Sequence, residues 1–422
     1  MKVVVVVLLV MVYLSVFAFA EIKISFWHAF SSTSPRGKAL QKMVDDFNNM
    51  NVMVGDQKVV VELVYKGGQG KINNPYNVLF SELLKACSQN STPNISIAYE
   101  NWVSQLKEIG VIKDFESFNS QKINQYVDSL YPHYREACII DGKTFSLSFN
   151  KSFFVFYYNK KYFSDLNVAD LPTNFDQFVN LLREFKQKTG LTPLYLEPNE
   201  DTFIIFYLLV ASDKFFDITN KIYPTFLGKN LDHTTNVIGD LERQGLIVWT
   251  NDSYKDFIDN KAPIILATTS RYTNLKSKSR DYSIASLPAD RGRIYSAGTN
   301  LVIFKSSPEQ ETASVKFIEY LIDGKNLEYF CINTGYVLPT MKHTEVYKSF
   351  LESNPEYMKV LNYSKDKLYV QPPIWAWENI RYFIADYMFA IFIDKSQVKE
   401  QQKSLEEKVN QIMLNQNTKY LK

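Results

Sequence analysis

The sequence predicts an α/β protein of two lobes, joined by strands that cross between them, with a ligand cleft at the joint. Three observations point that way. The chain has 422 residues, too many for one ordinary core. Its first part alternates strand, helix and strand patterns, which calls for a parallel sheet with helices on its faces. Two stretches, 146–158 and 288–298, pass from polar to apolar within a single run, as a strand does on leaving a wet cleft for a dry core. The first of them, SLSFNKSFFVFYYNK at 146–160, alternates Ser148, Asn150 and Ser152 with Phe149, Lys151 and Phe153, then turns solidly apolar. An edge strand that becomes central gives the same pattern.

The elements follow in order. Residues 22–27 (IKISFW) read as a first strand, 38–49 as a helix with Leu40, Met43, Val44 and Phe47 at helical spacing, and 59–65 (VVVELVY) as a second strand. The glycine-rich turn 66–74 is no phosphate-binding P-loop, because Ile follows Lys71. A helix at 78–87, a strand at 94–99, a helix at 103–110 and a connection at 111–118 come next. Past the first crossing, a helix opens near Pro172, with Thr173 or Asn174 as its cap, and closes at Gly190. A short strand at 192–196, helical stretches at 203–211, 231–245 and 254–260, and a buried strand at 263–269 build the second lobe. Strands at 282–287 and 297–304 flank a polar turn, and helices follow at 309–322 and from 327 to near Gly335. From 343 to 422 the pattern is almost wholly helical, and 399–414 reads as a solvated surface helix. The lobes are then 21–148 plus 297–342, and 149–290 plus 343–422.

Composition excludes several classes. Hydrophobic residues at 46% and charged residues at 22% describe a globular protein. Residues 1–20 place one Lys before an apolar run ending in Ala18-Phe19-Ala20, the pattern of a secretory signal peptide; the run is also near the length of a membrane anchor. Removing it takes one Lys and lowers the net charge from +2 to +1, which gives no electrostatic case for nucleic acid. Cys87, Cys138 and Cys331 are widely spaced and sit in no metal motif, and buried free thiols or one disulfide both fit them.

Catalytic signatures are missing from the sequence. The four histidines, 28, 133, 233 and 343, lie far apart, with no HExxH and no Gly-x-Ser-x-Gly elbow. A lone His28 at a strand end is more often structural than functional. Polar residues just past strand ends are the ones to watch, because ligands in open α/β sheets sit there. Glu100 follows the third strand, Gly298 opens a late strand, and Tyr336 follows a helix-stopping glycine. Arg381 stands near the start of a helix, where a cation is disfavoured unless it has an anionic partner. Trp375 and Trp377 share a rigid loop after Pro372-Pro373, a composition suited to sugar stacking.

These pieces together resemble a family. Phe26-Trp27-His28, Tyr65-Lys66-Gly67, Tyr99-Glu100, Phe149-Asn150 with Ser152, Tyr157-Tyr158-Asn159-Lys160, Thr334-Gly335-Tyr336, Pro372-Pro373 and Ile380-Arg381 carry the match. In order and spacing the chain is similar to the periplasmic solute-binding proteins of ABC importers (extracellular solute-binding protein family 1), within them to the glycerol-3-phosphate-binding branch. The resemblance implies the bilobal periplasmic-binding-protein fold and no enzymatic activity, cofactor or metal. It implies a monomer in the periplasm that hands a small phosphorylated polyol to an inner-membrane permease. Carried over by position, the ligand contacts are Tyr76, Glu100, Ser152, Thr268 (or, by a slip, Ser270), Gly298, Tyr336 and Arg381. Arg381 and the hydroxyls would hold the phosphate, and Glu100 a glycerol hydroxyl. Where the family has two Trp walling the glycerol side, this chain has Asn199 and Thr202, among the carboxylates Glu197, Glu200 and Asp201. Other expectations are a sugar or oligosaccharide ligand on the same fold, or a secreted hydrolase.

Overall fold

The computed structural model describes residues 21–68, 74–166, 168, 170–219 and 221–419; the expected signal peptide and most of the glycine-rich turn lie outside them. Two long strands, Leu147–Asn159 and Ile294–Ile303, run antiparallel through the middle of an eleven-stranded sheet. Beyond Ile294–Ile303 lies a first wing: Ile95–Ala98, then Glu21–His28, then Gln57–Tyr65 parallel to it over eight residue pairs. Beyond Leu147–Asn159 lies a second wing: Ile264–Thr268, Leu194–Leu196 and Ile247–Trp249, with Tyr282–Ala285 also paired to the long strand.

The long strand changes partners midway. Residues 147–153 pair with Ile294–Ile303, and Phe154 to Tyr158 pair with Ile264–Thr268. That exchange falls within the stretch 146–158 expected to cross between lobes, but the expected wet half is absent: all thirteen residues are buried. The polar ones find partners inside. Thr299 Oγ1 donates to Asn150 Oδ1 at 2.6 Å, and Lys151 Nζ donates to Glu100 at 2.5 Å. Alternation here marks a buried polar seam between two wings, since a buried polar group is tolerated once hydrogen-bonded.

Helix ends follow local chemistry. Ser34 Oγ accepts from the Gly37 amide at 3.0 Å, and Pro35 opens the helix Pro35–Asn49, three residues before its apolar spacing begins. Asn174 is the cap of Phe175–Thr189, and Gly190 closes that helix in the left-handed region. The helices Gln121–Ser129 and Pro132–Glu136 occupy a stretch that carries no clear sequence signal. The strand Ile294–Ile303 begins inside the expected turn 288–295.

One expectation is overturned. Within the helix Val398–Lys419, Leu405, Val409 and Met413 are buried, and the helix packs along Trp377–Phe392 instead of lying solvated. Spacing of four puts the three side chains on one stripe, and burying each is worth about 1.5–3 kcal/mol. Cys138 and Cys331 are buried free thiols, and Cys87 is a half-buried one. No helix among the described residues is long and apolar enough to cross a membrane.

Candidate functional site

Sheet topology brings several strand ends and helix starts to one place, where the two long strands meet the wings. The seven expected residues arrive there from seven different segments. Tyr76 lies in the first turn of Pro75–Ser88, and Glu100 opens the helix Glu100–Ile109 directly after its strand. Ser152 and Gly298 face one another across the crossing pair, one register step apart. Thr268 ends the strand Ile264–Thr268, Tyr336 follows the left-handed Gly335, and Arg381 sits in Trp377–Phe392. All seven line one cavity of about 180 Å³. Ser270 lines it too, its hydroxyl 2.8 Å from that of Thr268, so both candidate positions reach the same space.

Gly298 has a steric reason to be glycine. Its φ is +105°, and a Cβ there would stand 2.1 Å from the Asn150 carbonyl oxygen. At Gly335, φ is +76° and a Cβ would meet the Thr269 oxygen at 2.9 Å, so the Tyr336 segment lies close against the second wing.

The charges are arranged in pairs. Lys151 Nζ holds Glu100 Oε1 at 2.5 Å, with both side chains almost wholly buried. Arg381 Nη2 donates to Glu200 Oε1 at 2.6 Å and lies 3.8 Å from Asp201 Oδ1. Its expected anionic partner is thus supplied by the chain's own carboxylates. Burial works against the Arg381 charge, and Glu200 and Asp201 outweigh it. Burial, reinforced by Glu200, pushes the Asp201 carboxyl up to about 7.

The two polar residues in place of the family's tryptophans do not form a wall. Asn199 Oδ1 accepts from the Thr202 amide and caps the helix Glu200–Val210, and Thr202 Oγ1 donates to the Glu197 carbonyl at 2.7 Å. Glu197 accepts from the Ser253 amide and hydroxyl. Only Asp201 of the three carboxylates lines the cavity. Trp377 also lines it, but Phe215 and Phe216 pack edge-on against the indole at 5.0 and 5.5 Å; Trp375 is not among the lining residues.

His28 is structural, as a lone strand-end histidine usually is. It is buried, its Nδ1 accepts from the Phe30 amide at 3.1 Å, and burial holds it down at about 4. No group of three or more His, Cys, Asp or Glu that could hold a metal exists among the described residues.

Sequence reasoning missed Arg36 and Gln371, which also line the cavity. Arg36 Nη1 reaches the Tyr336 hydroxyl at 3.5 Å, and the Tyr336 and Tyr76 hydroxyls are 3.3 Å apart. A signal existed: Arg36 stands in the first turn of a helix, where the dipole argument that picked out Arg381 applies equally. Gln371 gave none. It is 4% exposed, and neither its Oε1 nor its Nε2 has a hydrogen-bond partner; Arg381 Nε lacks one as well. Buried polar atoms of this kind are rare and ask for a partner in the space they line.

Comparison with known proteins bears on the fold and the family. The sugar-binding protein MalE from Xanthomonas citri superposes with a TM-score of 0.77 at 16% identity, covering 95% of this chain and all of that one. UgpB from Mycobacterium tuberculosis, solved in complex with glycerophosphocholine, gives 0.77 at 18% identity, covering 94% of this chain and 99% of that one. A putative binding protein of Brucella abortus is 20% identical over 338 residues, 76% of this chain and 80% of its own length. The family model of the bacterial extracellular solute-binding proteins matches residues 43–359, and the chain belongs to that family: it is a substrate-binding component of an importer, not an enzyme.

Proposed function

We propose that this protein captures a small phosphorylated polyol, sn-glycerol 3-phosphate or a glycerophosphodiester, and delivers it to an inner-membrane ABC permease. In this reading residues 1–20 direct export and are removed, and the mature chain works in the periplasm as a monomer. The lobes 21–148 plus 297–342 and 149–290 plus 343–422 close on the ligand, which selects the closed state by binding it better. The observation that carries the reading is the convergence of Tyr76, Glu100, Ser152, Thr268, Gly298, Tyr336 and Arg381 on one small cavity, with Arg36 added. Phenol and serine hydroxyls suit phosphoryl oxygens, the Gly298 backbone admits close approach, and Glu100 suits a polyol hydroxyl. A glycerophosphodiester fits better than a dianionic monoester, because Glu200 and Asp201 already offset Arg381.

Thermal denaturation of the purified mature chain tests this. Glycerophosphocholine or glycerol 3-phosphate at a hundredfold over its Kd should stabilise the fold by about 2.7 kcal/mol. A rise with maltose or another neutral saccharide, and none with any glycerophosphate, would replace the polyol phosphate by a sugar.

A further inference from the structure

Arg381 is met by two carboxylates, so the uncompensated positive charge of the cleft lies elsewhere. A groove of about 460 Å³ adjoins the cavity and shares Arg36 and Ser270 with it. Arg36, Lys255, Arg271 and Lys278 line this groove, and no Asp or Glu does so among the described residues. Lys255 is paired with Asp259 at 2.5 Å, but among the described residues neither Arg36 nor Arg271 has a carboxylate within ion-pair distance. The two arginines come from opposite wings of the sheet. Arg36 follows the strand Glu21–His28, and Arg271 follows Ile264–Thr268. The Arg271 guanidinium lies over the Tyr254 ring, 4.5 Å from its centroid, which holds the planar fork in one plane. Tyr336 anchors Arg36 from the other side. Burial, and after it the charge of Arg36, pulls the Arg271 guanidinium below its ordinary value, whereas Arg36 itself is raised by the Tyr336 and Tyr76 hydroxyls.

We propose that Arg36 and Arg271 form an anion subsite at the mouth of the cavity, which takes phosphoryl oxygens of the ligand and ties the two wings together. Guanidinium forks bind tetrahedral oxyanions with paired, charge-assisted hydrogen bonds, and Ser270 adds a hydroxyl between the cavity and the groove. The ligand's acidic group then sits at this rim, and the Arg381 cluster faces its polyol or headgroup end. The proposal rests on the solute-binding reading of the cleft and gives its phosphate a place.

The test is calorimetric titration of the mature chain with inorganic pyrophosphate and, separately, with glycerophosphocholine. The proteins are the wild type, Arg271→Gln, Arg271→Lys and Arg381→Met. Pyrophosphate should bind the wild type, weaken at least tenfold in Arg271→Gln, recover in part in Arg271→Lys, and weaken less in Arg381→Met. Circular dichroism of each variant separates loss of binding from loss of fold, and the lysine variant serves where the glutamine variant does not fold. Pyrophosphate binding that ignores Arg271, or is lost only with Arg381, overturns the subsite. Glycerophosphocholine binding unaffected by Arg271→Gln sinks the subsite and leaves the proposed function standing. Arg271-dependent pyrophosphate binding without binding of any glycerophosphate supports the subsite and removes the polyol.

Discussion

Arg381 and Glu200 lie 2.6 Å apart, each mostly buried, and the same guanidinium nitrogen, Nη2, lies 3.8 Å from Asp201 Oδ1. An arginine expected to wait for a ligand's phosphate already has a full complement of charge. Removing it strands Glu200 and, once pH rises above about 7, Asp201 as well. Arg381→Ala should therefore cost the ligand-free protein about 3 kcal/mol of stability, the scale for breaking a buried pair from one side. Urea denaturation reads this directly. An alanine variant as stable as the wild type would mean that the cluster is solvated.

Asp201 gives a pH dependence with a definite sign. Its folded value of about 7 lies above its ordinary 3.8, so between those values the folded state holds a proton that the unfolded state has lost. The contribution is present at low pH and fades as pH rises through 7. His28 and His133, both held down at about 4 by burial, act oppositely on the acid side, so the wild-type profile alone is ambiguous. The comparison is with Asp201→Asn. Relative to the wild type, that variant should gain stability as pH rises from 5 to 8; parallel melting curves would refute the assignment.

Lys151 and Glu100 form the other buried pair, placed under the cavity by the long strand and the helix that begins at Glu100. Lys151→Met should cost about 3–5 kcal/mol by leaving Glu100 uncompensated, and adding Glu100→Gln should recover much of that loss. A double-mutant cycle with no coupling would contradict the pairing.

Gly298→Ala should be destabilising out of proportion to one methyl group. A positive φ costs about 1–3 kcal/mol for a non-glycine residue, and the new Cβ would collide with the Asn150 backbone. Because Asn150 lies in the crossing strand, the variant should also weaken ligand binding. Unaltered stability would show that the two long strands part freely.

Legibility of the sequence followed the physics of each segment. The βαβ start, the helix closed by Gly190 and the long strand Leu147–Asn159 are readable, because periodicity and chain-stopping residues act locally. The burial of Ser148, Asn150 and Lys151 was not, since it depends on Thr299 and Glu100 arriving from distant segments. The same reason hid Leu405, Val409 and Met413, whose stripe is short against so many charged neighbours. Of the cavity, the seven residues placed by resemblance converge, and Arg36 was within reach of an argument applied only at Arg381. Gln371, and the raised carboxyl of Asp201, are visible only in three dimensions, because an unpartnered amide and a shifted carboxyl are properties of surroundings, not of residue type.

The most direct measurement is native mass spectrometry of the mature protein purified from its own cells, followed by release and analysis of whatever small molecule it carries. A phosphorus-containing polyol, bound one per chain and lost from Arg271→Gln, is the predicted result. A neutral saccharide, retained equally by Arg271→Gln and by the wild type, would contradict it.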